Sequence, residues 1–272
     1  MIDISIALAI CNAITLGLRQ IAVLLGGFAL ISFAMWHVSQ AIRRRCGSRF
    51  GMGYYYFVAP GVVCHETGHA VGCFLSRVKI KKFVPFHPEP DGTLGYVAHE
   101  VPSTFLGKIA YILVSTGPIW FGSIVILLLA KLLLGASFGP VLDNVRTSAA
   151  AMSSGAISSF VPLVCNAAVE LVRILASGMG GHPWRTAVFC YLVFCIASET
   201  TLSAPDLKSC ATGCWALFAV LFLTNLIVGS FVDISIFFIR LLPCLAISYA
   251  VLAMVLIMDV AAWVVVRILV RI

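Results

Sequence analysis

Long apolar runs separated by short polar clusters organise the chain. Residues 4–18 are apolar but short for a membrane span, which needs about 20 residues, so they are expected to be interfacial or a separate short span. Residues 21–36 are apolar and lead into His37, Gln40 and the Arg43-Arg44-Arg45 cluster, which predicts a first span over 20–42. Further spans are predicted over 54–76, 109–134, 184–202, 209–230 and 243–268. The expected fold is an all-α polytopic membrane protein, a single domain over 1–272 with about six transmembrane helices. The apolar runs are continuous rather than alternating, which argues against a transmembrane β-barrel.

Two stretches break this pattern. In residues 77–108, Val78-Lys79-Ile80-Lys81 alternates and Thr93 to His99 is strand-like. The turn-rich Pro88-Glu89-Pro90-Asp91-Gly92 lies between them, so a small β-hairpin at the membrane surface is predicted, with strands over 78–84 and 93–99. Residues 135–183 mix Ala and Ser with Asn144, Arg146, Glu170 and Arg173, which suggests interfacial amphipathic helices. In the third span, Gly117-Pro118 permits close helix approach or a kink. Asp259 falls inside the last span and is read as facing the bundle, pairing with a cation or snorkelling, without a catalytic role.

Composition narrows the class. The chain is 61% hydrophobic and 11% charged, against roughly 25% charge in soluble domains. Its net charge of +7 is concentrated at Arg43–Arg49 and at Arg77–Lys82, juxtamembrane clusters that orient spans and contact anionic lipid. No basic, aromatic-interleaved soluble domain is present, so nucleic acid is not an expected partner. Most of the ten cysteines lie in apolar runs and none forms a C-x-x-C pattern, so they read as small hydrophobes. The N-terminus lacks the basic start and cleavage pattern of a signal peptide, and no processing is expected.

The most specific feature is His65-Glu66-Thr67-Gly68-His69, an H-E-x-x-H sequence in an apolar stretch. On a helix, residues four apart differ by about 40° of rotation, so both imidazoles leave one face. That spacing suits one tetrahedral zinc ion, with Glu66 in reach of a water molecule at the metal. With six His and five Glu in 272 residues, chance gives such a trio in on the order of two in a thousand chains. Polar groups are also costly in membrane helices and usually mark function.

Catalytic zinc usually takes three protein ligands. Asp206, in Ser203-Ala204-Pro205-Asp206, is the leading third donor: Pro205 suits a first helical turn, and the helix dipole favours an ionised carboxylate there. Ser203-x-x-Asp206 is equally a helix-capping pattern, and on spacing alone ligand and cap stand level, or coexist through different oxygens. Glu89, Asp91, Glu100, Glu170 and Glu199 are the other carboxylate candidates, with Asp91, Glu100 and Glu199 ahead, while His87 and His99 read as surface loop residues.

These residues carry a resemblance. His65-Glu66-x-Gly68-His69, the strand-like Gly95-Tyr96-Val97, Gly117-Pro118 and the downstream Pro205-Asp206 together resemble the site-2 protease family of intramembrane zinc metalloproteases. The matches span about half the chain, and only the first is highly specific. Ala204 and Leu207 depart from that family's fuller Asn-Pro-Asp-Gly motif.

The resemblance implies one zinc ion per chain held by His65, His69 and Asp206, with Glu66 as general base and acid. It also implies hydrolysis of peptide bonds in or near membrane segments. Substrate would add to the predicted strand edge at Gly95, Tyr96 and Val97. The expected surroundings are a lipid bilayer, in the cell membrane, and a membrane-protein substrate. No peptide-binding domain is recognisable, which leaves substrate choice to an adaptor protein. The two basic clusters flank the motif helix on opposite sides, and residues 77–108 are read as cytoplasmic.

Two rivals remain. One is a zinc protease resembling the prenyl-protein processing enzymes, with Glu100 or Glu199 as third ligand. The other is a non-catalytic scaffold or transporter, since intramembrane ionisable groups also mark transport pathways.

Overall fold

The computed structural model describes residues 2–89, 92–150, 157–227 and 235–270. Asp91 therefore lies outside the described residues. The N-terminal helix does not divide as the pattern suggests. Helix α1 (Ile2–Ile21) passes through a π-helical turn (Ala22–Gly26) into α2 (Gly27–Phe50) with helical backbone angles at every junction. The polar Arg19-Gln20 interruption is not a boundary. Gln20 is buried and exchanges two amide hydrogen bonds with Asn225, of 2.9 and 3.3 Å. A polar residue inside an apolar run here marks a helix–helix contact.

Five helices are long and apolar enough to cross a membrane: Ile6–Phe50, Gly117–Leu134, Phe160–Gly178, Pro205–Ile227 and Leu241–Leu269. They make the chain a multi-pass, all-α membrane protein, with five such helices rather than six among the described residues. The predicted 54–76 span divides at Val58 into α3 (Met52–Phe57) and α4 (Ala59–Leu75), with a proline in the first turn of α4. At 17 residues, α4 is about 25 Å long, short of the roughly 30 Å hydrocarbon layer. The predicted 184–202 span is likewise the 17-residue α9 (Pro183–Glu199).

The region 135–183 is not solely interfacial. It forms α7 (Gly139–Ala150) and α8 (Ile157–Gly178), and α8 contains one of the five stretches long and apolar enough to cross a membrane. Leu163, Ala167, Leu171 and Leu175 recur every fourth residue along α8 and are buried in the main apolar core. That core also draws on α6 (Gly117–Leu134) and on α11 (Ser235–Leu269), the helix that carries the buried Asp259.

Helix α4 is packed against α6, α9 and α5 (Phe105–Ser115). Its glycines allow this. A Cβ on Gly68 would meet the Gly117 carbonyl group at 2.8 Å, and one on Gly61 would collide with the Cys195 carbonyl oxygen. Backbones at such separation exclude any side chain between them. After α4, Arg77 takes a left-handed conformation (φ 55°) and the Val78 N–H donates to Cys73 O at 2.8 Å. This closes the helix and releases the chain into the sheet.

The sheet is a two-stranded antiparallel hairpin, β1 (Ile80–Val84) and β2 (Tyr96–His99), shorter at both strands than expected. Val84 pairs with Tyr96 and Phe83 with Val97, and a bulge lies between Ile80 and Lys82. Two further bonds, His87 N–H to Leu94 O at 2.6 Å and Glu89 N–H to Thr93 O at 2.8 Å, carry the hairpin toward its tip. Val97 packs on Cys73, Tyr111 and Val114, which docks the hairpin on α4 and α5.

Candidate metal centre

His65 and His69 leave one face of α4, with their Nε2 atoms 3.2 Å apart. Each ring is fixed from behind by a backbone carbonyl. His65 Nδ1 lies 2.6 Å from Glu199 O, and His69 Nδ1 lies 2.8 Å from Val114 O. A carbonyl only accepts, so both Nδ1 atoms carry the proton, and in the neutral rings both Nε2 atoms present lone pairs. Two facing lone pairs at this distance repel unless a cation lies between them. A tetrahedral ion with metal–nitrogen distances of 2.0–2.1 Å, typical of zinc, holds its nitrogens about 3.3 Å apart. The observed spacing fits. Carbonyl acceptors behind ligating histidines are also the usual outer support of a metal site.

The carbonyls are available for identifiable reasons. Glu199 is the last residue of α9, where helical carbonyls lose their partners. Val114 lies near the end of α5, and the residue four positions on, which would supply its helical donor, is Pro118. Gly117-Pro118 therefore serves the site twice. Glycine lets α4 approach, and proline leaves a carbonyl for His69.

Asp206 completes the cluster from the start of α10 (Ala204–Ile227). Its Oδ1 is 3.6 Å from His69 Nε2, and the ligand atoms of His65, His69 and Asp206 lie within 4.8 Å of one another. The same residue caps its helix. Asp206 Oδ2 accepts from Ser203 N–H at 2.9 Å and from Ser203 Oγ at 2.5 Å, while Ser203 Oγ accepts from Asp206 N–H at 3.3 Å. Asp206 Oδ2 makes the cap while Oδ1 faces the histidines, so the geometry accommodates both readings of Ser203-x-x-Asp206.

Glu66 is buried at 8% exposure and lines a cavity of about 190 Å³ with His65, Val62, Leu94 and Gly95. A Cβ on Gly95 would come 3.0 Å from Glu66 Cγ, so glycine at this position leaves room for the carboxylate. Of the three residues expected to bind substrate, Gly95 lines this cavity. Tyr96 and Val97 lie in β2, whose outer edge has no strand partner among the described residues.

The other predicted donors are elsewhere engaged. The Glu199 carboxylate bonds Arg43 at 2.7 Å and is not part of the His65, His69 and Asp206 group. Glu100 is exposed and anchors the hairpin base through its N–H to Lys79 O. His99 is not a loop residue. It ends β2 with its ring 3.2 Å from the Tyr111 hydroxyl, and burial lowers its pKa.

The Arg43–Glu199 pair is not evident from the sequence, where Arg43 reads as a flanking charge and Glu199 as one of the alternative third donors. A carboxylate within an apolar run needs a compensating cation, and that requirement was the available signal. Compared with protein-family models, curated proteins and solved structures, the chain has no match.

Proposed function

We propose that this protein is an intramembrane zinc metalloprotease, integral to the cell membrane, that hydrolyses peptide bonds in or near membrane segments of other proteins. One observation carries the reading. Two histidine Nε2 lone pairs and an aspartate oxygen converge beside a buried glutamate, within an H-E-x-x-H sequence. A zinc ion in this cluster supplies Lewis acidity, polarising a carbonyl and acidifying water toward neutral pH.

The chain's own groups account for the rest. His65, His69 and Asp206 would hold the ion, each side chain oriented by a hydrogen bond on its far side to a backbone carbonyl or from Ser203. Glu66 takes the proton from the attacking water and returns it to the leaving amine. The cavity beside it admits water to an otherwise apolar bundle. An unwound substrate segment pairs along the outer edge of β2. The rival with Glu199 as third ligand loses support from the carboxylate's bond to Arg43.

The test is zinc content and peptide hydrolysis of the detergent-purified chain and of Glu66→Gln. Wild type should carry about one zinc and cleave. The variant should keep the metal and lose cleavage by roughly 10²–10⁴-fold, the usual weight of a general base. Wild-type cleavage by the variant would rule out this mechanism.

A further inference from the structure

We infer that Arg43 is a positioning residue for the metal centre, acting through Glu199. The inference rests on the metal-site reading above and deepens it. Arg43 belongs by sequence to a basic cluster, yet it differs from Arg44 and Arg49 of that cluster. Arg44 and Arg49 are exposed, whereas Arg43 turns inward and lines the cavity that Glu66 and His65 also line. Its Nη2 donates to Glu199 Oε2 at 2.7 Å.

Glu199 faces the site through its main chain. Its carbonyl oxygen accepts from His65 Nδ1 at 2.6 Å. A continuous path therefore runs from α2, through the Arg43 guanidinium, the Glu199 carboxylate and the Glu199 carbonyl, to the imidazole whose Nε2 faces the metal position. The same residue begins the short segment that delivers Asp206. Thr201 N–H bonds the Glu199 carbonyl at 2.8 Å, Leu202 is buried, and Ser203 caps α10. Fixing Glu199 thus fixes the His65 ring directly and the approach of Asp206 through the six intervening residues, Thr200 to Pro205.

The physical need is specific. Glu199 ends a helix, where the backbone frays most readily, and its side chain is only 9% exposed. A buried carboxylate without its cation is strongly unfavourable, so the guanidinium decides where this residue sits. Outer-sphere partners of metal ligands typically change metal affinity by 10–100-fold.

The experiment measures zinc affinity by chelator competition and the visible spectrum of the cobalt(II)-loaded protein, on the full chain in detergent. Arg43→Met and Glu199→Gln should each weaken zinc binding about 10–100-fold and shift the cobalt bands at saturating metal. Arg43→Lys should stay closer to wild type, since an ammonium can still meet the carboxylate. The double variant Arg43→Met/Glu199→Gln should lose no more than either single change, as expected of one unit. If Arg43→Met does not fold, Arg43→Met/Glu199→Met removes both charges together and takes its place. Folded variants with wild-type affinity and an unchanged cobalt spectrum would overturn the inference while leaving the metal site intact. Wild-type protein that binds neither metal would overturn the metalloprotease reading itself.

Discussion

His69 donates its Nδ1 proton to the carbonyl of Val114 across 2.8 Å, and the residue that would compete for that carbonyl is Pro118. A helix offers each carbonyl to the N–H four residues on, and proline has none. Replacing Pro118 by alanine restores the competitor. The expected outcome is a His69 ring less firmly held and a zinc affinity lower by roughly 10-fold or more. Chelator competition checks it, and an affinity equal to wild type would show that the proline acts only on backbone shape.

Asp206 caps its helix through Oδ2 and presents Oδ1 to His69, and on the proposed metal-site reading the two roles can be separated. Ser203→Ala removes the cap and should lower stability by about 1 kcal/mol while leaving about one zinc per chain. Asp206→Ala should lose a similar increment of stability and also the metal. Thermal melting and zinc content, measured on both variants, give four readings. Zinc retained by Asp206→Ala would return that residue to capping alone.

The Gln20–Asn225 pair joins α1 to α10 well away along α10 from Asp206. Replacing either residue by leucine leaves the other amide buried and unsatisfied, at a cost of about 1–3 kcal/mol. Replacing both should restore most of that loss, because no polar group is stranded. Melting temperatures of the two single variants and the double variant check this. Strictly additive losses would mean that the amides do not act as a pair.

His99 gives the hairpin a pH dependence. Burial against α5 lowers its pKa from the ordinary value near 6.5, so the folded state favours the neutral ring. Its contribution is fully present above about pH 6.5 and is lost as the pH falls below that value, since the unfolded chain then binds more protons. Wild type should therefore lose more stability between pH 7.5 and pH 5 than His99→Phe does. Parallel losses in the two proteins would contradict the assignment.

Part of this protein was legible one residue after another. His65 and His69 share a face because any helix brings positions four apart together. Ser203 and Asp206 form a cap because both lie in one helical turn, and Gly117-Pro118 announces a helix break and a close approach. The apolar runs similarly dictate a membrane protein of helices. Each of these follows from local geometry that the chain cannot avoid.

Other features depend on what packs against what. Gln20 in an apolar run reads the same whether it ends a helix or pairs with Asn225. Arg43 reads as a flanking charge until α9 brings Glu199 within 2.7 Å. Glu199 and Asp206 were both eligible third donors, and the tertiary fold separated them by giving one a guanidinium and aiming the other at His69. A carboxylate's role is set by its nearest opposite charge, and that neighbour comes from a distant part of the chain. Residue identity and helical spacing limit which groups could bind a metal. The packing of α2, α5, α9 and α10 around α4 decided which of them meet.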